Sequence, residues 1–250
     1  MQKKIELFGV NYFAAEYSNV VYIIIENAIK NNSFGVTALA VHGLIESYNN
    51  PVINKAVNSI DLIVPDGQPI KWCLNFFYKT NLKDRVYGPA LTWKVLEEAN
   101  IKKLKLFLFG STSNTLNKFQ ENIKLNFPHI NIVGTQVDRF REATLEEDQN
   151  DINKINELGA QIILVGRGCP RQEIWVAQHL GKINGVMMAV GAAFDFHAKV
   201  INQAPKWMQD KGLEWFYRLI QEPGRLWKRY LFTNSKFIFL VLLKIFKLHK

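Results

Sequence analysis

Cysteine is nearly absent from this 250-residue sequence: only Cys73 and Cys169 occur, far apart and in no paired spacing. That excludes a disulfide framework and a cysteine-based zinc site, and it fits two reduced thiols in a cytoplasmic protein. Long apolar runs are missing too. Phe237–Leu243 supplies seven consecutive apolar residues, against the roughly 20 that a helix needs to cross a bilayer. The stretch Met1–Gly9 has charge within its short apolar segment and no cleavage-site pattern, so no signal peptide is expected. No D-x-D occurs, and the five histidines form no H-x-x-x-H pair, so no metal site is expected. A dinucleotide-binding G-x-G-x-x-G and a phosphate-binding G-x-x-x-x-G-K-S/T are both absent. Gly166-Arg167-Gly168 begins like the former but runs on as Cys169-Pro170-Arg171, with arginine where the third glycine belongs. No bound organic cofactor is expected.

What is present describes an α/β protein. Hydrophobic residues make up 48% of the chain, enough for a substantial core. Short β-rich runs at Lys4–Val10, Val36–Val41, Asp61–Val64, Leu104–Phe109, Ile130–Thr135, Gln161–Gly166 and Gly185–Gly191 alternate with helical patterns. The clearest helices are Ala14–Lys30, Ala90–Ala99, Ser113–Phe127, Leu145–Leu158 and Pro170–Leu180. This alternation predicts a largely parallel, Rossmann-like sheet with helices on both faces. The one composition shift, near Lys199, divides a core at 1–198 from an appendage at 199–250.

The appendage carries the charge. Residues 199–250 hold eleven Lys or Arg against three Asp or Glu, so most of the formal net charge of +9 lies there, with half of the six tryptophans. A basic, aromatic segment suits an anionic membrane surface. Nucleic acid is the rival partner, but a phosphate-binding groove gives the Phe237–Leu243 run no purpose. The expectation is a helical appendage lying in the membrane interface, with no nucleic acid bound. The competing occupants for its apolar face are the protein's own core and a second copy of the chain.

In such sheets ligands bind at the carboxyl ends of the strands, where helix N-termini offer N–H groups to phosphates. Pro65-Asp66-Gly67, Gly110-Ser111-Thr112, Gly166–Glu173 and Gly191–Asp195 all fall at such ends. Asp66, on a sharp Pro-Asp-Gly turn, is a candidate base or simply an Asx-turn residue. Asp195 is the rival carboxylate. Without a metal, a phosphate-bearing ligand at these strand ends would have to be met by cations, for which Arg167, Arg171, Arg218 and Arg225 are the candidates. Gln172 and Glu173 either orient a nucleotide or favour a helix start.

Three stretches of the appendage carry a family resemblance: Gln203-Ala204-Pro205-Lys206-Trp207-Met208, Gly212–Leu219 and Gln221–Tyr230. With Asp61–Gly67, Arg85-Val86-Tyr87-Gly88 and Val165–Glu173, they make the chain resemble the WecG/TagA/CpsF glycosyltransferases from about Phe8 to Leu231. The resemblance implies a metal-independent, inverting enzyme. It would take a UDP-sugar (N-acetylmannosamine, glucose or a related uronic acid) and an undecaprenyl-diphosphate-linked acceptor in cell-surface polysaccharide synthesis. It also implies a peripheral position on the cytoplasmic face of the bacterial plasma membrane, with the appendage completing the active site. Asp66, Thr37, Arg218 and Arg225 would be catalytic. Gly67, Arg85, Gly110, Gly166, Arg167, Gly168, Arg171, Gln172, Glu173, Gly191 and Asp195 would bind substrate. The chain departs from the family where T-x-N is frequent: it reads Thr37-Ala38-Leu39, so the asparagine does not carry over. The competing functions are a nucleotide-cofactor oxidoreductase, opposed by the missing glycine fingerprint, and a non-catalytic membrane-surface protein, which would leave the polar strand-end loops without a use.

Overall fold

A computed structural model describes residues 4–246; residues 1–3 of the N-terminal stretch and 247–250 of the basic appendage lie outside the described residues. The chain opens with β1 (Lys4–Leu7) and β2 (Val10–Phe13), an antiparallel hairpin. This differs from the single strand expected over Lys4–Val10. Phe8 and Gly9 take positive φ of 49° and 80° and reverse the chain there. Next come α1 (Tyr17–Ile29), β3 (Phe34–Leu39), α2 (Val41–Asn49), α3 (Pro51–Ser59), β4 (Leu62–Pro65), α4 (Gln68–Tyr78) and α5 (Gly88–Lys102). They are followed by β5 (Lys105–Gly110), α6 (Ser113–Asn126), β6 (Asn131–Gln136), α7 (Leu145–Glu157), β7 (Ile162–Gly166), α8 (Arg171–His179), β8 (Val186–Ala189) and α9 (Ala193–His197). The appendage contributes α10 (Lys206–Asp210), α11 (Glu214–Gln221) and the long α12 (Pro223–Ile245).

Six strands form one sheet in the order β4-β3-β8-β7-β5-β6, with every pairing parallel. Successive strand residues point to opposite faces, and both faces are covered. Leu106, Leu108, Ile162, Leu164, Val186 and Met188 enter one core with α1, α5, α6 and α9. Their neighbours Phe107, Phe109, Ile163, Val165, Met187 and Ala189 enter a second core, shared with the hairpin, α2, α3, α4, α7 and α8. Burial on both sides explains why these strands read as apolar runs rather than alternating patterns.

The appendage joins the second core. Leu226, Thr233, Phe237 and Leu240 form the buried stripe of α12, at spacings of seven, four and three that keep them on one helix face. That face lies on α2, and the Phe237 ring meets Phe8 edge-on at 6.1 Å between centroids. The remaining surface of α12 exposes Leu231, Phe232, Ile238, Phe239, Leu242 and Ile245 beside the basic Arg225 and Lys228. No helix among the described residues is long and apolar enough to cross a membrane.

Candidate active site

The carboxyl ends of all six strands open into one cavity of about 460 Å³, roofed by α11 and α12. Of the residues singled out from the sequence, Asp66, Gly67, Arg85, Gly166, Arg167, Gly168, Gln172, Glu173, Gly191, Asp195, Arg218 and Arg225 line it. Thr37, Gly110 and Arg171 do not. Thr37 is buried beneath the floor, its hydroxyl donating to Glu173 Oε1 at 3.1 Å. Gly110 serves the backbone: at φ 114° a Cβ there would stand 2.6 Å from the Gly166 carbonyl oxygen. Arg171 turns instead to Asp138, with Nη2 to Oδ1 at 3.0 Å.

Asp66 follows directly on β4, where Gly67, at φ 86°, starts α4. The backbone N–H groups of Gly67 and Gly88 face its carboxylate, and Gly88 begins α5. Burial is the main reason that the Asp66 carboxyl is pushed up to about 7; Arg85 opposes the rise and Glu214 adds to it. Arg85 reaches across to the appendage, its Nη2 2.6 Å from Glu214 Oε2 with both side chains nearly buried. The pair clamps the segment before α5 to α11. Burial also raises the Asp195 carboxyl, against the pull of Arg225.

The roof is cationic. Arg225 makes two bonds to Glu222, of 2.8 and 2.6 Å, and Arg218 stands 3.7 Å from the same carboxylate. Arg229, one turn beyond Arg225, has no ion pair among those described, and its Nε is buried without a hydrogen-bond partner, as is Nε of Arg218. Burial holds the Arg229 guanidinium below its ordinary range, and Arg218 and Arg225 push the same way. Three guanidinium groups against the carboxyls of Glu222 and Asp195 leave an excess of positive charge that an anion would satisfy. His42, also lining the cavity, is held down to about 3, first by burial and then by Arg229, so it stays neutral at pH 7.

On the floor, Glu173 is fully buried and accepts from Thr37 and from Gln172 Nε2 at 2.9 Å. Burial raises its carboxyl above the usual range. The Gln172 Oε1 atom beside it is buried and has no partner. No group of three His, Cys, Asp or Glu side chains that could hold a metal ion converges among the described residues.

Among the charged and histidine side chains of the cavity, four were given no role from the sequence: His42, Asp138, Glu214 and Arg229. Arg229 had a visible signal, since its four-residue spacing from Arg225 places both on one helix face. Glu214 lies within the Gly212–Leu219 stretch that carries the resemblance, but its partner Arg85 is distant in sequence, and His42 and Asp138 likewise owe their places to distant contacts.

A second cavity, an apolar groove of about 920 Å³, runs between α4 and the α11–α12 pair. Trp72, Phe76, Trp227, Ile238, Leu242 and Ile245 line its walls. It meets the first cavity at Val41, Pro69, Trp215, Tyr230 and Asn234, which border both.

Residues 5–250 match the family model described as "Glycosyl transferase WecG/TagA/CpsF family". The chain is also 28% identical over 200 residues to an N-acetylglucosaminyldiphosphoundecaprenol N-acetyl-β-D-mannosaminyltransferase of Bacillus spizizenii, which covers 80% of this chain and 75% of that protein.

Proposed function

The chain belongs to the WecG/TagA/CpsF family of glycosyltransferases, and from that premise we propose that it moves a hexose-type sugar from a UDP-sugar to an undecaprenyl-diphosphate-linked acceptor. The sugar is N-acetylmannosamine, glucose or a related uronic acid, and the product serves cell-surface polysaccharide synthesis. One observation carries the reading: an arginine-roofed cavity adjoins an apolar groove, with Val41, Pro69, Trp215, Tyr230 and Asn234 bordering both. A lipid diphosphate has that polarity, a charged head joined to a hydrocarbon chain, and the arginines and aromatic walls match its two parts. The named substrate of the Bacillus spizizenii relative is of this kind.

The chemistry follows from the placement of the charges. The Asp66 carboxylate takes the proton from the acceptor hydroxyl as its oxygen attacks the anomeric carbon of the donor sugar. The bond from that carbon to the UDP oxygen breaks, and the electron pair leaves with the diphosphate. Arg218, Arg225 and Arg229 stabilise the developing charge in place of a metal ion. Attack from the face opposite the leaving group inverts the anomeric configuration. Asp195, close enough to Arg225 to feel its charge, orients the donor rather than taking the proton.

Residues 1–198 act as the catalytic core, and residues 199–250 dock on the inner face of the plasma membrane. The exposed apolar surface of α12 meets the lipid while its buried stripe keeps the roof arginines over the cavity. The test is a panel of UDP-sugars offered with a lipid-diphosphate-sugar acceptor in vesicles, followed by release of UDP and by mass spectrometry of the lipid product. Transfer from one UDP-sugar is the expected result. Failure of every UDP-sugar while another nucleotide sugar reacts would overturn the donor assignment, and transfer to a free, lipid-less sugar alone would overturn the acceptor assignment.

A further inference from the structure

At the β7-β5-β6 end of the sheet, three loops are stitched together by their backbones. Ser111 N donates to Gly166 O at 2.9 Å, and Asp138 N donates to Ser111 O at 3.1 Å. The Asp138 carboxylate sits at this junction with its side chain almost wholly buried. Its Oδ1 is saturated, accepting from Phe140 N at 3.0 Å, Arg171 Nη2 at 3.0 Å and Arg167 Nε at 3.3 Å. Its Oδ2 is buried and has no partner. A carboxylate oxygen accepts and never donates when ionised, so what it lacks is a donor, and Asp138 lines the cavity from which one can come. Such an orphan is costly unless a ligand completes it.

Phe140 stands beside it in an equally unusual state. The residue is 63% exposed, and its backbone has φ 54°, a left-handed conformation uncommon for an aromatic residue. The segment is nevertheless firmly held. Arg139 makes bonds of 2.6 and 3.1 Å to Asp151, and Arg141 makes two of 2.7 Å to Glu147. The strain thus holds a bare aromatic ring at the cavity edge, on a loop anchored on both sides.

We infer that this corner is the nucleoside subsite: Asp138 Oδ2 accepts a hydrogen bond from a ribose hydroxyl, and the Phe140 ring stacks on the base. The assignment rests on the nucleotide-sugar reading above and deepens it. It also orients the donor along the sheet edge. The corner lies at the β6 end and Asp66 at the β4 end, five inter-strand spacings of about 4.8 Å apart. The roof arginines face the same cavity as both ends, so nucleoside, diphosphate and reacting sugar would follow one another from β6 towards β4.

Titration calorimetry on the full chain with UDP, 2′-deoxy-UDP, 3′-deoxy-UDP and pyrophosphate tests this. UDP should bind about ten- to a hundredfold more tightly than at least one deoxy analogue, the range for a hydrogen bond to a charged acceptor. Asp138→Asn should reduce that preference to within about threefold by removing the charge assistance. Arg171→Ala, which removes one neighbour but keeps the carboxylate, should preserve it. Phe140→Ala should weaken UDP and both deoxy analogues by a similar factor, about tenfold for a lost base stack, and leave pyrophosphate unchanged. Equal binding of all three nucleotides by the unaltered protein overturns the ribose contact, and that arm needs no variant to fold. A preference that survives Asp138→Asn, or that Arg171→Ala abolishes equally, overturns it too, the latter because Asp138 would then only position the arginines. If the protein binds no UDP at all, the nucleotide-sugar reading fails with it; if it binds UDP without discrimination, only the subsite fails.

Discussion

If Asp66 is the base, its ionisation should govern both the rate and the stability of the protein. Burial pushes this carboxyl from its ordinary 3.8 up to about 7, and a base must be ionised to accept a proton. Below pH 7, kcat/KM should therefore rise about tenfold per pH unit, reach a plateau above pH 8, and stand near one hundredth of the plateau at pH 5. An unperturbed carboxylate would give a flat profile over the same range. Asp66→Asn should lower turnover by about 10²–10⁴-fold, abolish the acidic limb and leave UDP affinity nearly unchanged. Stability runs the other way. Between the unfolded value of 3.8 and the folded value of about 7 the native state binds the extra proton, so the stabilisation is full below pH 4 and is lost as pH rises through 7. A shift of about three units corresponds to at most about 4 kcal/mol, and the partial exposure of Asp66 at the cavity reduces it. Asp66→Asn should accordingly resist urea better than the unaltered protein at pH 8, with the gap narrowing at pH 4. A flat kcat/KM profile from pH 5 to 9, or a folded Asp66→Asn protein with near-normal turnover, would refute the assignment. If Asp195→Asn instead abolished turnover, the proton-accepting role would pass to Asp195.

Three further outcomes are expected. Arg229→Ala should lower transfer at least tenfold while changing vesicle binding little, because one basic residue contributes about 1 kcal/mol at an anionic surface; unchanged transfer would remove Arg229 from the diphosphate site. Phe237→Ala should cost about 3–5 kcal/mol in urea unfolding, as for other buried aromatics, and a loss below about 1 kcal/mol would show that α12 does not share the second core. Transfer should persist in excess EDTA, since arginines rather than acidic clusters surround the diphosphate position; loss of activity restored by Mg²⁺ would sink that idea.

The sheet was legible in the sequence because strands buried on both faces announce themselves as short apolar runs, as in Leu62–Pro65, Ile162–Gly166 and Val186–Ala189. The five helices named from periodicity all appear, with ends moved by up to three residues. The helices α2, α3, α4 and α9 went unnamed; α2 and α3 abut at Asn50-Pro51 with no loop to mark their ends, and α9 has only five residues. The N-terminal hairpin was read as one strand because hydrophobicity alone does not reveal the reversal at Phe8-Gly9. In the cavity, glycines and a Pro-Asp-Gly turn pointed to the β4, β7 and β8 loops. The β6 loop offered no such mark: Val137-Asp138-Arg139-Phe140-Arg141 resembles any solvated connection until Arg167 and Arg171 converge on it. The appendage showed its charge but not its second attachment, because the residue that meets Phe237, Phe8, lies more than two hundred positions away.

The ion pair between Arg85 and Glu214 gives the appendage a hold on the proton affinity of the core. Glu214 reaches the neighbourhood of Asp66 only while α11 is seated, and there it helps to keep the proton on that carboxyl. Linkage is reciprocal. A seated appendage makes Asp66 a stronger base, and the ionised Asp66 carboxylate in turn repels Glu214 and loosens the seat. Proton uptake and appendage docking are two sides of one equilibrium, so acidification should tighten the attachment of α11 even as it slows the reaction.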